Sequence, residues 1–278
     1  MKKNKLEKIN ELIVILILLG IGILMLLPFL WMFFTSLKDW GEIFKFPPTL
    51  FPSKVRWENY KELFQIAPVL NWLKNSLFLS IISTIGVLLS SSIVAFSFAV
   101  INFKGRNLWF SILLLTMMVP FHVTMIPQYI LFRYLGWVNT LKPLWIPTFT
   151  GAPYMIFLLR QFYRSIPNSY LESARIDGAS YWQIFYRIYI PLSLPVTVTV
   201  ALLTFINQWN YFLGPLIYLN DVNKMTITAG LSFLQGQSFG YWNYIMAGST
   251  IAVLPILILF LLTQKYIIEG IMLQAGLK

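Results

Sequence analysis

LIVILILLGIGILMLLPFLWMFF, residues 12–34, runs for 23 residues without a charge. A helix that crosses the bilayer core needs about 20 predominantly apolar residues, so this run is long enough to span. It is too long for a signal-peptide core, and no small-x-small cleavage site follows it. It therefore reads as an uncleaved span. The rest of the chain agrees. Of its 278 residues, 58% are hydrophobic and 17% aromatic, and only 11% are charged. Soluble domains carry about a quarter charged residues, so most of this chain must avoid water. Mean hydropathy is +0.70. Five further apolar runs follow, at about 75–100, 108–131, 144–159, 192–213 and 244–264. The expected fold is all-α and integral to the membrane. It has six transmembrane helices in one permease domain over 1–278.

Basic residues set the expected orientation. With the N-terminus inside, the inner segments hold 12 of the 21 Lys and Arg. Among them are Lys2, Lys3, Lys5, Lys8, Lys104, Arg106, Arg160, Arg164, Arg175 and Arg187. Six of the nine outer ones sit in one long loop, 35–74, beside Asp39, Glu42, Glu58 and Glu62. The bias places both termini in the cytoplasm. The net charge of +11 then reads as topology and contact with anionic lipid, not as nucleic-acid binding. The long loop, with Pro47, Pro48 and Pro52, exceeds a simple hairpin. It is either a cap or partner surface on the outer face, or an ordinary surface loop.

Absences narrow the mechanism. The centres of the six runs carry no Asp, Glu, Lys or Arg, and His122 lies near a Pro-bounded end of the third. Ion-coupled carriers often place ionisable groups at that depth. Sodium sites built from backbone carbonyls stay open. The sequence contains no Cys, no GxxxxGK[ST], no HExxH and no GxSxG. It therefore has no phosphate-cradling loop and none of those hydrolytic arrangements. Energy for uphill movement would come from another polypeptide. The expectation is a transport subunit that is not an enzyme and holds no metal. A self-contained carrier or channel and a membrane-embedded enzyme are the competing readings.

Between the fourth and fifth runs lies a polar segment, Ser169-Tyr-Leu-Glu-Ser-Ala-Arg-Ile-Asp-Gly-Ala-Ser-Tyr-Trp-Gln183. Ser169 with Glu172, and Ser180 with Gln183, each match a capping box. Gly178 suits a left-handed C-terminal turn. Tyr181, Ile184, Phe185 and Ile188 form an apolar stripe at i, i+3, i+4 and i+7. The spacing predicts two short helices hinged at Gly178 within a loop at about 167–190, facing the cytoplasm. Two roles fit such a loop: docking a partner, or lying on the membrane or under its own spans.

Glu172-Ser-Ala-Arg-Ile-Asp-Gly178-Ala, followed by Phe185, Ile188 and Ile190-Pro191-Leu192, resembles the EAA motif. That motif belongs to the membrane subunits of binding-protein-dependent ABC importers. Ser173 stands where Ala is usual and Ile190 where Leu is usual. Ile166-Pro167, Trp209-Asn210-Tyr-Phe-Leu, Gln264-Lys-Tyr-Ile-Ile-Glu-Gly270 and Ile126-Pro-Gln-Tyr with Leu135-Gly136 extend the likeness. Together they resemble the carbohydrate-uptake branch, in particular the shorter six-span subunit of maltose-type importers. The resemblance implies a coupling helix docked in a groove of an ABC ATPase, with Glu172, Ser173, Ala174, Asp177, Gly178, Ala179, Tyr181 and Phe185 as docking residues. Glu172 could equally serve as an intramolecular cap. The resemblance also implies a second permease subunit, an extracellular sugar-binding protein, and ATP with Mg on the ATPase and no cofactor in this chain. It places the protein in a bacterial or archaeal cell (inner) membrane. Asn207, Trp209 and Asn210 are candidates for the sugar path, since a Trp face and amides suit a sugar. An interfacial aromatic belt with packing amides explains them as well. The tail Gln274-Ala-Gly-Leu-Lys278 would reach the ATPase, although it departs from the usual ending.

Overall fold

A computed structural model describes residues 5–237 and 241–274, with side chains over 10–236 and 241–265. Residues 275–278 of the expected ATPase-reaching tail therefore lie outside the described residues. The chain forms helices and connecting loops, with no strand among the described residues. Its main elements are α1 (Lys5–Ser36), α2 (Glu58–Ile66), α3 (Val69–Val100), α4 (Arg106–Met118), α5 (Phe121–Tyr134), α6 (Pro153–Ser165), α7 (Asn168–Ile176), α8 (Tyr181–Leu192), α9 (Leu194–Trp209), α10 (Leu213–Tyr218), α11 (Ile227–Gln237) and α12 (Trp242–Gln274). Contacts divide the chain into two compact units. The first comprises Met1–Ala67 with Leu231–Val253, the second Pro68–Gly230 with Leu254–Lys278.

Three described helices are long and apolar enough to cross a membrane: Asn10–Ser36, Val69–Val100 and Trp242–Lys265. Two bent pairs raise the number to five if each pair counts as one span. The third expected run bends by 91° between α4 and α5, and the fifth by 79° between α8 and α9. Proline explains both bends. Pro120 takes extended geometry at the first break, and Pro191 and Pro195 flank the second. The fourth expected run, 144–159, is not one helix. A tight turn over Ile146–Thr150 ends at Gly151, whose φ is +92°, and α6 starts afresh at Pro153. Described residues thus supply apolar helices of the expected class without six unbroken spans.

In the first unit, α1 leaves its whole apolar window exposed within the chain. Its far end is different: Thr35, Ser36, Leu37 and Lys38 are all buried by the loop that follows. Asn59 on α2 makes that closure. Its amide donates to the Ser36 carbonyl at 2.8 Å and the Lys38 carbonyl at 2.9 Å. Its own carbonyl accepts from Asn243 Nδ2 at 3.1 Å. The Ser36 carbonyl is one that a helix end leaves without a partner, and that of Lys38 follows in the turn beyond it. Tyr244 donates to Glu62 at 2.6 Å. Glu42 accepts from the Ser53 backbone at 2.8 Å and from its hydroxyl at 2.7 Å. Burial raises the Glu42 carboxyl, yet the Ser53 bonds and nearby Lys38 and Lys45 outweigh it and hold the group below its ordinary value.

In the second unit α3 is the central post. Its buried positions, among them Ser76, Leu79, Ser83, Val87, Ser91 and Ala95, recur at three and four. Small residues on that seam let backbones approach closely where no hydrophobic drive separates lipid from helix. Gly86 shows the tolerance: a Cβ there would lie 2.5 Å from the Phe149 ring. The main core joins Val87, Ala95 and Phe96 of α3 to Ile156, Leu159 and Tyr163 of α6, Ile184, Phe185 and Tyr189 of α8, and Val196 and Val200 of α9. At the other end of the unit Asn139 takes φ +60°. Its side-chain oxygen accepts from the Asn220 and Asp221 amides at 3.1 and 3.0 Å, and its backbone N–H donates to Tyr218 at 2.7 Å. Asn139→Ala loses both side-chain bonds, at about 1 kcal/mol each. It also puts a Cβ without local hydrogen bonding in the left-handed region, for about 1–2 kcal/mol. A fall in stability of about 3 kcal/mol is expected in thermal unfolding of the detergent-purified chain. Asn139→Gly, which relieves only the backbone term, should recover about a third to a half of it.

Candidate docking loop

The polar segment folds as two helices around Gly178, which takes φ +78°. α7 ends in a Schellman turn. The Ala179 N–H donates to the Ala174 carbonyl at 2.9 Å and the Gly178 N–H to the Arg175 carbonyl at 3.1 Å. Gly occupies the left-handed position because it has no Cβ to strain. The Arg175 side chain spans the hinge. It donates to the Ala179 carbonyl at 3.2 Å, and its guanidinium lies 4.7 Å from the Tyr181 ring centre. Ser180 then caps α8 by a full capping box. The Gln183 N–H donates to Ser180 Oγ at 3.3 Å, and Gln183 Oε1 accepts from the Ser180 N–H at 2.8 Å. Ser180→Ala should cost about 1 kcal/mol, seen as faster hydrogen exchange at the 181–183 amides with insertion unchanged.

The first expected capping box does not form. α7 begins at Asn168, behind Pro167, so Ser169 is already inside the helix and cannot cap it. Its carbonyl accepts from Ser173 Oγ at 2.8 Å. Glu172 is exposed, and α7 carries no side-chain cap for it to complete.

The stripe on α8 also divides. Phe185 is 6% exposed and packs on Phe96, with ring centres 5.2 Å apart; Ile184 and Ala174 are buried in the same core. These three hold the loop under its own helices. Glu172, Ser173, Asp177, Gly178 and Tyr181 remain at the surface, and Ala179 is half-buried. A Cβ on Gly178 would meet nothing within 4 Å in this chain. The surface also includes residues that sequence reasoning missed. Ile176 is 86% exposed, and Tyr170, Trp182 and Tyr186 are open. An apolar tip near the glycine was legible, since Ile176 stands two residues before the hinge; the sidedness of α8 was not. From Phe185 to Tyr189 the helix widens by one residue, rotating every later side chain.

Behind the loop lies a polar cavity of about 410 Å³, lined by Asn102, Arg106, Arg164, Asn168, Glu172 and Tyr189 among others. Arg160, beside it in sequence, is buried. Its Nε donates to the Phe98 carbonyl at 3.2 Å and its guanidinium lies 3.8 Å from the Phe110 ring centre. The loop is thus anchored on a helix that an arginine clamps to the neighbouring elements.

The other candidate residues lie at the far end of α9. Asn207 and Asn210 are exposed, and Asn210 Nδ2 donates to the Ile206 carbonyl at 3.0 Å. Trp209 is 2% exposed and stacked on Phe205 at 5.8 Å. In this conformation its ring is closed to a ligand. Gln208, between them, donates to the Leu144 carbonyl at 3.1 Å. His122 is exposed at the start of α5.

Residues 86–272 match the family described as binding-protein-dependent transport system inner membrane component. The arabinooligosaccharides transport system permease protein AraQ of Bacillus subtilis is 35% identical over 254 residues, 90% of each chain. The sn-glycerol-3-phosphate transport system permease protein UgpE of Pectobacterium atrosepticum is 31% identical over 264 residues, 92% of this chain and 94% of that one. A crystal structure of a bacterial ABC transporter involved in the import of the acidic polysaccharide alginate superposes with a TM-score of 0.80. It covers 96% of this chain and 99% of its own, at 22% identity, and so bears on the fold alone.

Proposed function

We infer the role of this chain from its family: it belongs to the inner-membrane components of binding-protein-dependent transport systems, as a multi-pass membrane protein. It is a permease subunit of an ATP-driven importer. Its substrate is a sugar or oligosaccharide, delivered by an extracellular binding protein. A second permease subunit completes the path, and both termini lie in the cytoplasm. The chain hydrolyses nothing itself; ATP and Mg sit on separate ATPase subunits. The cargo assignment rests on the relatives' names, which include an arabinooligosaccharide system.

One observation carries the coupling role. The 167–190 loop is rigidly built yet presents an open glycine with an exposed isoleucine and aromatics around it. A glycine with clear space on its own chain, flanked by exposed apolar side chains, is what close approach of a partner backbone requires. Docking contacts then come from Asp177, Gly178, Ile176, Tyr181 and Trp182, with Glu172 and Ser173 at the edge. Ala174, Ala179 and Phe185 shape the loop from beneath. When two ATPase subunits close on ATP they move the loop, and α8 passes that motion to α9 through the 79° bend. Asn207 and Asn210 are candidate path residues, and Trp209 joins them only if α9 repacks.

The test is a mild-detergent pull-down of the tagged chain from its own host. Recovery of an ATPase, a second permease and a sugar-binding protein is the expected result. Recovery of the chain alone, active in liposomes without ATP, overturns the reading in favour of a self-contained carrier.

A further inference from the structure

The loop after α1 carries a surface that coupling does not use. Its fold returns it to the end of the first span. The Arg56 N–H donates to the Leu37 carbonyl at 2.9 Å. Lys38, buried, lies 5.1 Å from the Trp31 ring centre and donates to the Thr49 carbonyl. Phe51 packs on Phe34 with centres 4.7 Å apart, and Trp57 lies 6.4 Å from Phe33. Glu42 with Ser53, and Asp39 with Arg56, close the loop internally. Residues 49–57 are thus held at the level of the last turns of α1.

That level has a physical meaning. The apolar run of α1, residues 12–34, ends at Phe34 and is about 34 Å long at 1.5 Å per residue. The hydrocarbon core is about 30 Å thick, so Phe33 and Phe34 mark its edge. None of α1's apolar window is covered by this chain. Rings that touch Phe33 and Phe34 from the loop therefore sit in the interfacial layer. There the loop exposes Phe51 and Trp57, and just before them in sequence it exposes Phe44 and, to 95%, Phe46. Lys45 and Lys54, both exposed, lie among them in sequence. Aromatic rings at headgroup depth beside cations that meet phosphates are the composition of a lipid-facing surface.

We propose that residues 44–57 form an interfacial anchor, seated in the headgroup layer of the leaflet at the C-terminal end of α1. Phe44, Phe46 and Phe51 enter the boundary, and Lys45 and Lys54 meet lipid phosphates. The anchor fixes the depth of α1. It depends on the membrane assignment of α1 and not on the importer role.

The chain has no cysteine, so a single introduced thiol reports one place. Phe46→Cys and, for reference, Glu58→Cys would each carry a bimane label. The full-length protein is reconstituted in vesicles of phosphatidylcholine and phosphatidylglycerol. A lipid with a nitroxide near the carbonyl should quench the Phe46 label about twofold more than the Glu58 label, as interfacial depth requires. Aqueous iodide should reverse the order. Lys45→Glu with Lys54→Glu should weaken the lipid quenching in the mixed vesicles and not in pure phosphatidylcholine. Iodide quenching equal at both positions, with no lipid quenching at either, overturns the anchor and leaves the rings to a soluble partner.

Discussion

Gly178→Asp is expected to abolish transport while the protein still inserts and accumulates normally. The reason lies in the two sides of the glycine. On its own chain, the position needs a left-handed backbone, φ +78°, and offers open space. Asp and Asn tolerate that region several-fold better than other residues. The strain in the loop itself is therefore small, and the Schellman bonds from Gly178 and Ala179 are backbone bonds that survive. On the partner side, a new carboxylate would sit where a backbone must approach. Losing about 1.4 kcal/mol of docking costs tenfold in affinity, and a buried unpaired charge costs more than that. Uptake should fall at least about tenfold and the ATPase should vanish from the pull-down. Gly178→Asn should show the steric part alone, a milder loss. Gly178→Val separates folding from docking, since a β-branched residue there is a genuine outlier and should lower abundance. Normal uptake by the Asp variant at normal abundance would sink the docking role.

What was legible in the sequence follows from what each signal depends on. α1, α3 and α12 were legible because a charge-free apolar run fixes a span whatever packs on it. The breaks at Pro120 and Gly151 were not, because hydropathy sums over a window and does not see that a proline or a left-handed glycine ends one helix inside it. Ser180 and Gln183 capped as their spacing implied. Ser169 and Glu172 had the same spacing but lie too late, with Ser169 two residues past the cap position at Pro167. The partner role of Phe185 came from the resemblance; periodicity put it on an apolar stripe that either a partner or the chain's own helices could cover. Tertiary packing on Phe96 took it inward, and left Ile176 and Trp182 outside. Buried Lys38, Asn59 and Arg160 were invisible because their partners are backbone carbonyls and aromatic faces, which leave no charge pairing in sequence.

Asn59→Leu is expected to give the largest stability loss of any single change in the first unit. Asn59 is wholly buried and uses three of its four hydrogen-bonding positions. Its two donated bonds satisfy the Ser36 and Lys38 carbonyls just where α1 ends. Leucine keeps the branched outline, with more bulk, but removes the partner of both carbonyls and of the Asn243 amide. A buried polar group left unsatisfied costs about 1–3 kcal/mol, so three together put the loss at about 3 kcal/mol or more. Much of it should appear as opening of the loop after α1, because the Arg56 bond to Leu37 and the Ser36–Tyr60 hydroxyl contact at 2.7 Å lie beside the same carbonyls. Hydrogen exchange at residues 37–42 should rise before the rest of the chain unfolds. Asn59→Asp keeps the acceptor for Asn243 but turns the donors into a carboxylate facing two carbonyls, and should be no better than leucine. If either variant melts with the parent protein, the loop is held by its aromatic contacts to Phe33 and Phe34, and the buried amide is incidental to it.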